Sequence, residues 1–124
     1  MKTIKIELPL PHKNLSPNSR CHWRAKAAAT KKARSESRLV TMDAMNRSHC
    51  AEWFWPSAKV RAVFYFRDHR KRDRDNALSS LKAHFDGLAD AGLISNDSGL
   101  THMPVVMNVD KSNPRVVLLI EKEE

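Results

Sequence analysis

Residues 3–8 alternate apolar Ile4, Ile6 and Leu8 with polar Lys5 and Glu7, the period of a half-buried strand. Pro9 and Pro11 end it, and residues 12–22 carry the turn formers Asn14, Ser16, Pro17, Asn18 and Ser19. From Trp23 to about Met45 the chain is rich in Ala, Lys and Arg and has no Pro or Gly, which predicts a long helix. Its apolar positions begin small, at Ala25, Ala28, Ala29 and Ala33, so one side can pack closely while the other shows cations. Residues 47–58 break this pattern around Trp53-Phe54-Trp55-Pro56. The clearest strand follows, with Val60, Ala62, Phe64 and Phe66 alternating with Arg61, Val63, Tyr65 and Arg67. A second helix is predicted over about 76–91, because Leu78, Leu81, Phe85 and Leu88 fall on one helical face and Gly92 stands where a cap is expected. Val105–Val109 and Val116–Ile120 read as two further strands joined by the turn-prone segment Asp110–Pro114. The order β-α-β-α-β-β predicts an α/β chain of the α+β kind: a single mixed sheet with two main helices packed on it.

At 124 residues the chain fits one domain, residues 1–124. No run approaches the roughly 18 apolar residues of a membrane span, and Met1-Lys2-Thr3-Ile4 does not open a secretory signal. The expectation is a cytoplasmic protein with no membrane partner. Cys21 and Cys50 are too few for a disulfide framework, which fits a reducing compartment.

Charge changes the picture. Lys and Arg exceed Asp and Glu by a formal +8, and the excess is unevenly placed. Residues 13–38 hold eight basic residues (Lys13, Arg20, Arg24, Lys26, Lys31, Lys32, Arg34 and Arg38) and a single acid, Glu36. A second knot holds Arg67, Arg70, Lys71, Arg72 and Arg74 among three aspartates. Clustered cations of this kind suit a polyanion, nucleic acid first of all; a merely solvated face is the alternative.

The candidate chemistry lies in Arg72-Asp73-Arg74-Asp75-Asn76, between the strongest strand and the second helix. In extended chain, residues two apart point the same way, so Asp73 and Asp75 present paired carboxylates whose repulsion a hard divalent cation relieves. Asp and Asn before a helix also serve as caps, and the two readings stand side by side. Asp75, Ser79, Lys82 and Asp86 follow helical spacing and form one polar stripe, although Lys82 and Asp86 could equally be a surface pair. Gly92 then turns the chain, and a strand–helix–turn path could return Asp97 to the side of Asp73 and Asp75.

These residues resemble the RusA-type Holliday junction resolvases of phages and prophages. The likeness rests on Asp73-Arg74-Asp75-Asn76, the helical Lys82, Asp86-Gly87-Leu88, Ala91-Gly92-Leu93-Ile94 and Asn96-Asp97. Leu15-Ser16-Pro17-Asn18-Ser19-Arg20 with His22-Trp23-Arg24 is similar to the opening of phage members. The resemblance implies a homodimeric, Mg²⁺-dependent endodeoxyribonuclease, with Mn²⁺ able to substitute, that resolves four-way DNA junctions by paired symmetric nicks in recombination and repair. It implies that Asp73, Asp75 and Asp97 bind the metal, that Lys82 assists catalysis, and that Asn76 and Asp86 support the site. Arg20, Arg24, Lys26, Arg67, Arg70, Lys71, Arg72 and Arg74 would then hold phosphates. The chain departs from the pattern at Asn96, where members often carry an acid, and in the longer spacing from Asn76 to Lys82. A non-catalytic nucleic-acid binder and a metal-dependent nuclease of other branched DNA or RNA are the competing readings.

Other residues are read more blandly. Cys21-His22 has no partner pair at zinc-like spacing. His69 fits a solvated side chain. Trp53, Phe54 and Trp55 are expected to pack beneath a helix rather than stack on bases, and Trp23 faces the same choice undecided.

Overall fold

A computed structural model describes residues 2–48 and 52–123. Its centre is β2 (Ala58–Phe66), which is paired along both edges. On one side β5 (Arg115–Lys122) runs antiparallel, with Ala58 opposite Lys122 and Tyr65 opposite Arg115. β1 (Thr3–Leu8) closes that edge antiparallel to β5. On the other side β3 (Leu100–His102) and β4 (Val106–Val109) pair in succession with β2, both parallel to it. Parallel pairing demands a crossover, and the helical segment after β2 supplies it.

The predicted fold class holds: one mixed sheet of five strands with helices packed on it. Ile4, Ile6 and Leu8 of β1, Val60 and Phe64 of β2, and Leu118 and Ile120 of β5 form the sheet's share of the core. Leu81, Phe85, Leu88, Leu93 and Ile94 cover them. Each such apolar side chain contributes about 1.5–3 kcal/mol by leaving water. No helix among the described residues is long and apolar enough to cross a membrane.

α1 (Trp23–Arg47) is the long helix expected, and only Ala33, Ser37 and Thr41 on it are fully buried. These small side chains, one helical turn apart, let α1 approach the helix after β2 closely. There Gly87 faces the Arg34 carbonyl and Ser37; an added Cβ would lie 2.6 Å from both. The Ser37 hydroxyl donates to the His84 carbonyl at 2.6 Å, and the Arg34 guanidinium grips the Asp90 carboxylate, holding it below the usual carboxylate range.

Two expectations are corrected in detail. The second helix is broken into α2 (Arg74–Ser79) and α3 (Lys82–Asp90). At the break Leu81 N–H bonds back three residues to Leu78, and the Ser80 hydroxyl donates to the Ala77 carbonyl, a local competition typical of serine. The second correction is an added strand, the three-residue β3, which follows a 3-10 turn at Asp97–Gly99.

The aromatic cluster is split. Trp55 is buried and bridges Ile94, and Trp53 packs against it with ring centroids 5.6 Å apart. Phe54 between them is exposed, in a left-handed conformation at φ 62°. Cys21 is a free thiol, and Cys50 lies outside the described residues.

Candidate functional site

Asp73 is the N-cap of α2. Its carboxylate accepts the backbone N–H groups of Asp75 and Asn76 at 2.8 and 3.2 Å. Asp75 sits exposed in the first turn, where its charge suits the helix dipole. One turn further along the same face, Ser79 reaches a cleft between α2, α3 and the Asp97 turn.

Lys82 is the first residue of α3. That turn has neither an acid nor a side-chain cap, so a cation is held against the positive end of the helix. Local helix energetics do not explain this choice. Its ammonium lies 3.9 Å from the Asp97 carboxylate and is 79% exposed.

Asp97 opens the 3-10 turn, and Asn96 before it caps that turn by accepting the Ser98 N–H at 3.0 Å. Asn96 therefore has a structural task that an acid there could also perform. Asp97 also stands beside Asp86 of α3. Partial burial, then the shared hydrogen bond and charge of Asp97, push the Asp86 carboxyl up, while Lys82 and Arg34 oppose the shift. The cleft of about 250 Å³ is completed by Leu78, Phe85 and His102, whose ring lies 4.9 Å from that of Phe85.

The structure therefore brings together Asp97, Lys82 and Asp86. Asp73 and Asp75 sit at the start of α2 and do not join Asp97 in a group of three: no three His, Cys, Asp or Glu side chains among the described residues lie close enough to share an ion. The donor chemistry at Asp86 and Asp97 nevertheless fits Mg²⁺, which takes one or two carboxylates and completes its shell with water and phosphate. A carboxyl that resists ionisation beside another is the conflict such an ion relieves.

Two members of this site were not foreseen. His102 comes from β3, a strand too short to show a period, and reaches the cleft through its register opposite Val60. Arg34 on α1 adds its positive charge to Asp86 across the helix crossing, a contact no local spacing encodes.

No family model matches the chain. It is 31% identical over 121 residues to an uncharacterized protein of Xylella fastidiosa (strain Temecula1 / ATCC 700964), spanning 93% of this chain and 74% of that relative. The chain belongs to that protein's family.

Arg20 just before α1 and Arg24 and Lys26 in its first turn are exposed, as are Arg67, Arg70 and Lys71 between β2 and α2 and Arg74 at the start of α2. None of these seven is in an ion pair among the described residues. Arg72 differs. Its guanidinium lies 4.0 Å from the Phe66 ring centroid and donates to the Asp68 carboxylate and to the carbonyls of Asp68 and Arg70. Arg72 thus braces the loop that displays its neighbours. The Asp68 carboxyl, which accepts the Arg70 N–H and the Arg72 guanidinium, is held below the usual carboxylate range. Lys26 and Thr30 of α1 line the flank of the cleft with Lys82 and Asp86, so the basic helix and the acidic pair share one surface.

Proposed function

We propose that this chain is a Mg²⁺-dependent, structure-selective endodeoxyribonuclease that nicks four-way DNA junctions, working as a homodimer. The observation that carries the reading is Lys82, a cation set at the unfavourable start of α3 within reach of the Asp86–Asp97 pair. The resemblance to RusA-type resolvases points the same way, as do the exposed, unpaired cations, of which Lys26 lines the flank of the cleft.

In this reading Asp97 and Asp86 would hold the ion, with Asp75 one turn before Ser79 on α2. When bound, Mg²⁺ supplies a polarised phosphoryl oxygen and an acidified water. Lys82 neutralises charge that develops on the phosphoryl oxygens or on the departing O3′, a contribution of about 3 kcal/mol in comparable sites. The exposed arginines and lysines of α1 and of the 67–74 loop bind backbone phosphates, which makes affinity salt-dependent and largely blind to sequence. A two-fold dimer presents two such sites to the two equivalent strands of a junction.

The test is a labelled four-way junction with Mg²⁺, run beside forks, flaps and RNA stems, with Asp97→Asn as control. Paired symmetric nicks lost in the variant are expected. Tight binding with no cleavage in Mg²⁺ or Mn²⁺ would instead support a non-catalytic binder, the reading favoured by the capping role of Asp73.

A further inference from the structure

We infer that Trp23 is a stacking platform for an unpaired nucleobase, placed one helical turn from the cleft; this rests on the nucleic-acid partner proposed above but not on cleavage. Tryptophan is a large apolar side chain that folded domains bury for the most part. Trp23 is instead 68% exposed, at the first position of α1, while Trp55 is in the core and Trp53 packs on it. The choice between packing and display is therefore settled for this residue in favour of display.

Its surroundings select the partner. The Arg24 guanidinium lies 5.2 Å from the Trp23 ring centroid, and the His22 ring is tilted against it at 5.6 Å. His22 cannot swing freely, because its Nδ1 accepts the Arg24 N–H at 3.1 Å and so caps the helix. Arg20, Arg24 and Lys26 are exposed and without carboxylate partners among the described residues, and the first turn of α1 contains no acid. A second copy of the chain would bring the same cations to this patch and be repelled. A polyanion with flat, exposed rings satisfies both the charge and the aromatic face, and stacking on Trp is the usual way proteins hold unpaired bases.

Position ties the platform to the site. Trp23, Lys26 and Thr30 recur at helical spacing along one face, and Lys26 and Thr30 line the cleft flank with Lys82 and Asp86. From Trp23 to Lys26 the helix rises about 4.5 Å, so the two side chains lie about one turn apart on the same flank.

The experiment uses the full chain, a fully paired DNA duplex, and the same duplex carrying a short unpaired loop, in DNA and in RNA. Tryptophan emission and affinity are read at fixed salt for the native protein, Trp23→Phe and Trp23→Ala, with circular dichroism confirming the fold. The looped substrates are expected to quench a component of emission that Trp23→Phe lacks. Trp23→Ala should bind them about ten- to a hundredfold more weakly, with Trp23→Phe intermediate and the paired duplex changed less than twofold. Unchanged affinity of Trp23→Ala for looped DNA and RNA overturns the platform, as does equal weakening toward paired and looped duplex. A change in the free protein's mass in Trp23→Ala, marking a contact between copies, also overturns it. Loop-dependent binding without any junction cleavage would leave the platform standing and remove the nuclease reading.

Discussion

The Asp86 and Asp97 carboxyl groups stand side by side, one from α3 and the other from the turn that leads into β3, with the Lys82 ammonium 3.9 Å from Asp97. Two acids in contact destabilise a folded chain unless a cation or proton lies between them. The Lys82 ammonium offsets this repulsion in part, from a helix start whose dipole disfavours it.

Asp86→Asn should therefore raise the stability of the metal-free protein by about 0.5 kcal/mol, the scale of a solvent-screened charge pair, while lowering nuclease activity. Urea melts without divalent ions, paired with junction cleavage in Mg²⁺, check both halves. A variant that is less stable would show the pair to be a structural contact.

Lys82→Met removes a cation from the wrong end of α3, a gain of about 0.5 kcal/mol, and loses an exposed ion pair worth about as much. Its melting temperature should barely move. Cleavage should fall about a hundredfold or more with junction affinity nearly unchanged, because one exposed charge contributes little to ground-state binding. Loss of affinity without loss of turnover would make Lys82 a phosphate contact only.

Asp73 separates capping from metal binding. Asp73→Ala removes the acceptor for two N–H groups and should cost about 1 kcal/mol in urea unfolding. Asp73→Ser keeps a cap and should keep most of the stability. If Asp73→Ser also cleaves normally, the residue is a cap and nothing more; a stable, inactive Asp73→Ser places it in the chemistry.

His84 gives the fold a pH limit. It is 4% exposed, its Nδ1 is buried without a hydrogen-bond partner among the described residues, and burial pushes its pKa down to about 4 from 6.5. Above pH 6.5 the imidazole is neutral in both folded and unfolded chains and costs nothing. As pH falls from 6.5 toward 4, only the unfolded chain takes up the proton, so stability is lost across that window by up to about 3 kcal/mol. Urea melts at pH 7 and pH 4.5 should show this loss in the native chain. It should be largely absent in His84→Gln, whose amide does not titrate. An identical acid limb in both would rule out His84 as the cause.

Strands β1 and β2 were legible because alternation writes their buried face into the sequence, as Ile4, Ile6 and Leu8 show, and β5 was legible as the unbroken apolar run Val116–Ile120. The break at Ser80-Leu81 was not, because Leu78, Leu81, Phe85 and Leu88 keep helical spacing across it and no Pro or Gly marks it. The capping alternative for the Asp73 segment was visible; Lys82 was expected on the edge of Asp73 and Asp75 or paired with Asp86, and its ion pair is with Asp97. The meeting of Asp86 with Asp97 was not visible, since it depends on where a short parallel strand docks against Val60. Nor could spacing tell that Arg72, alone among its neighbours, turns inward onto Phe66.

α1 runs 25 residues, about 37 Å, yet its buried side chains begin only at Ala33. Of its first ten residues only Ala29 is half-buried, packed beside Leu15, Ala33 and Ala83, while the others are exposed. Apart from Ala29, side chains there can be exchanged with little penalty to folding, so what this face meets could be altered by rewriting the first turns of one helix while the acidic corner stays as it is.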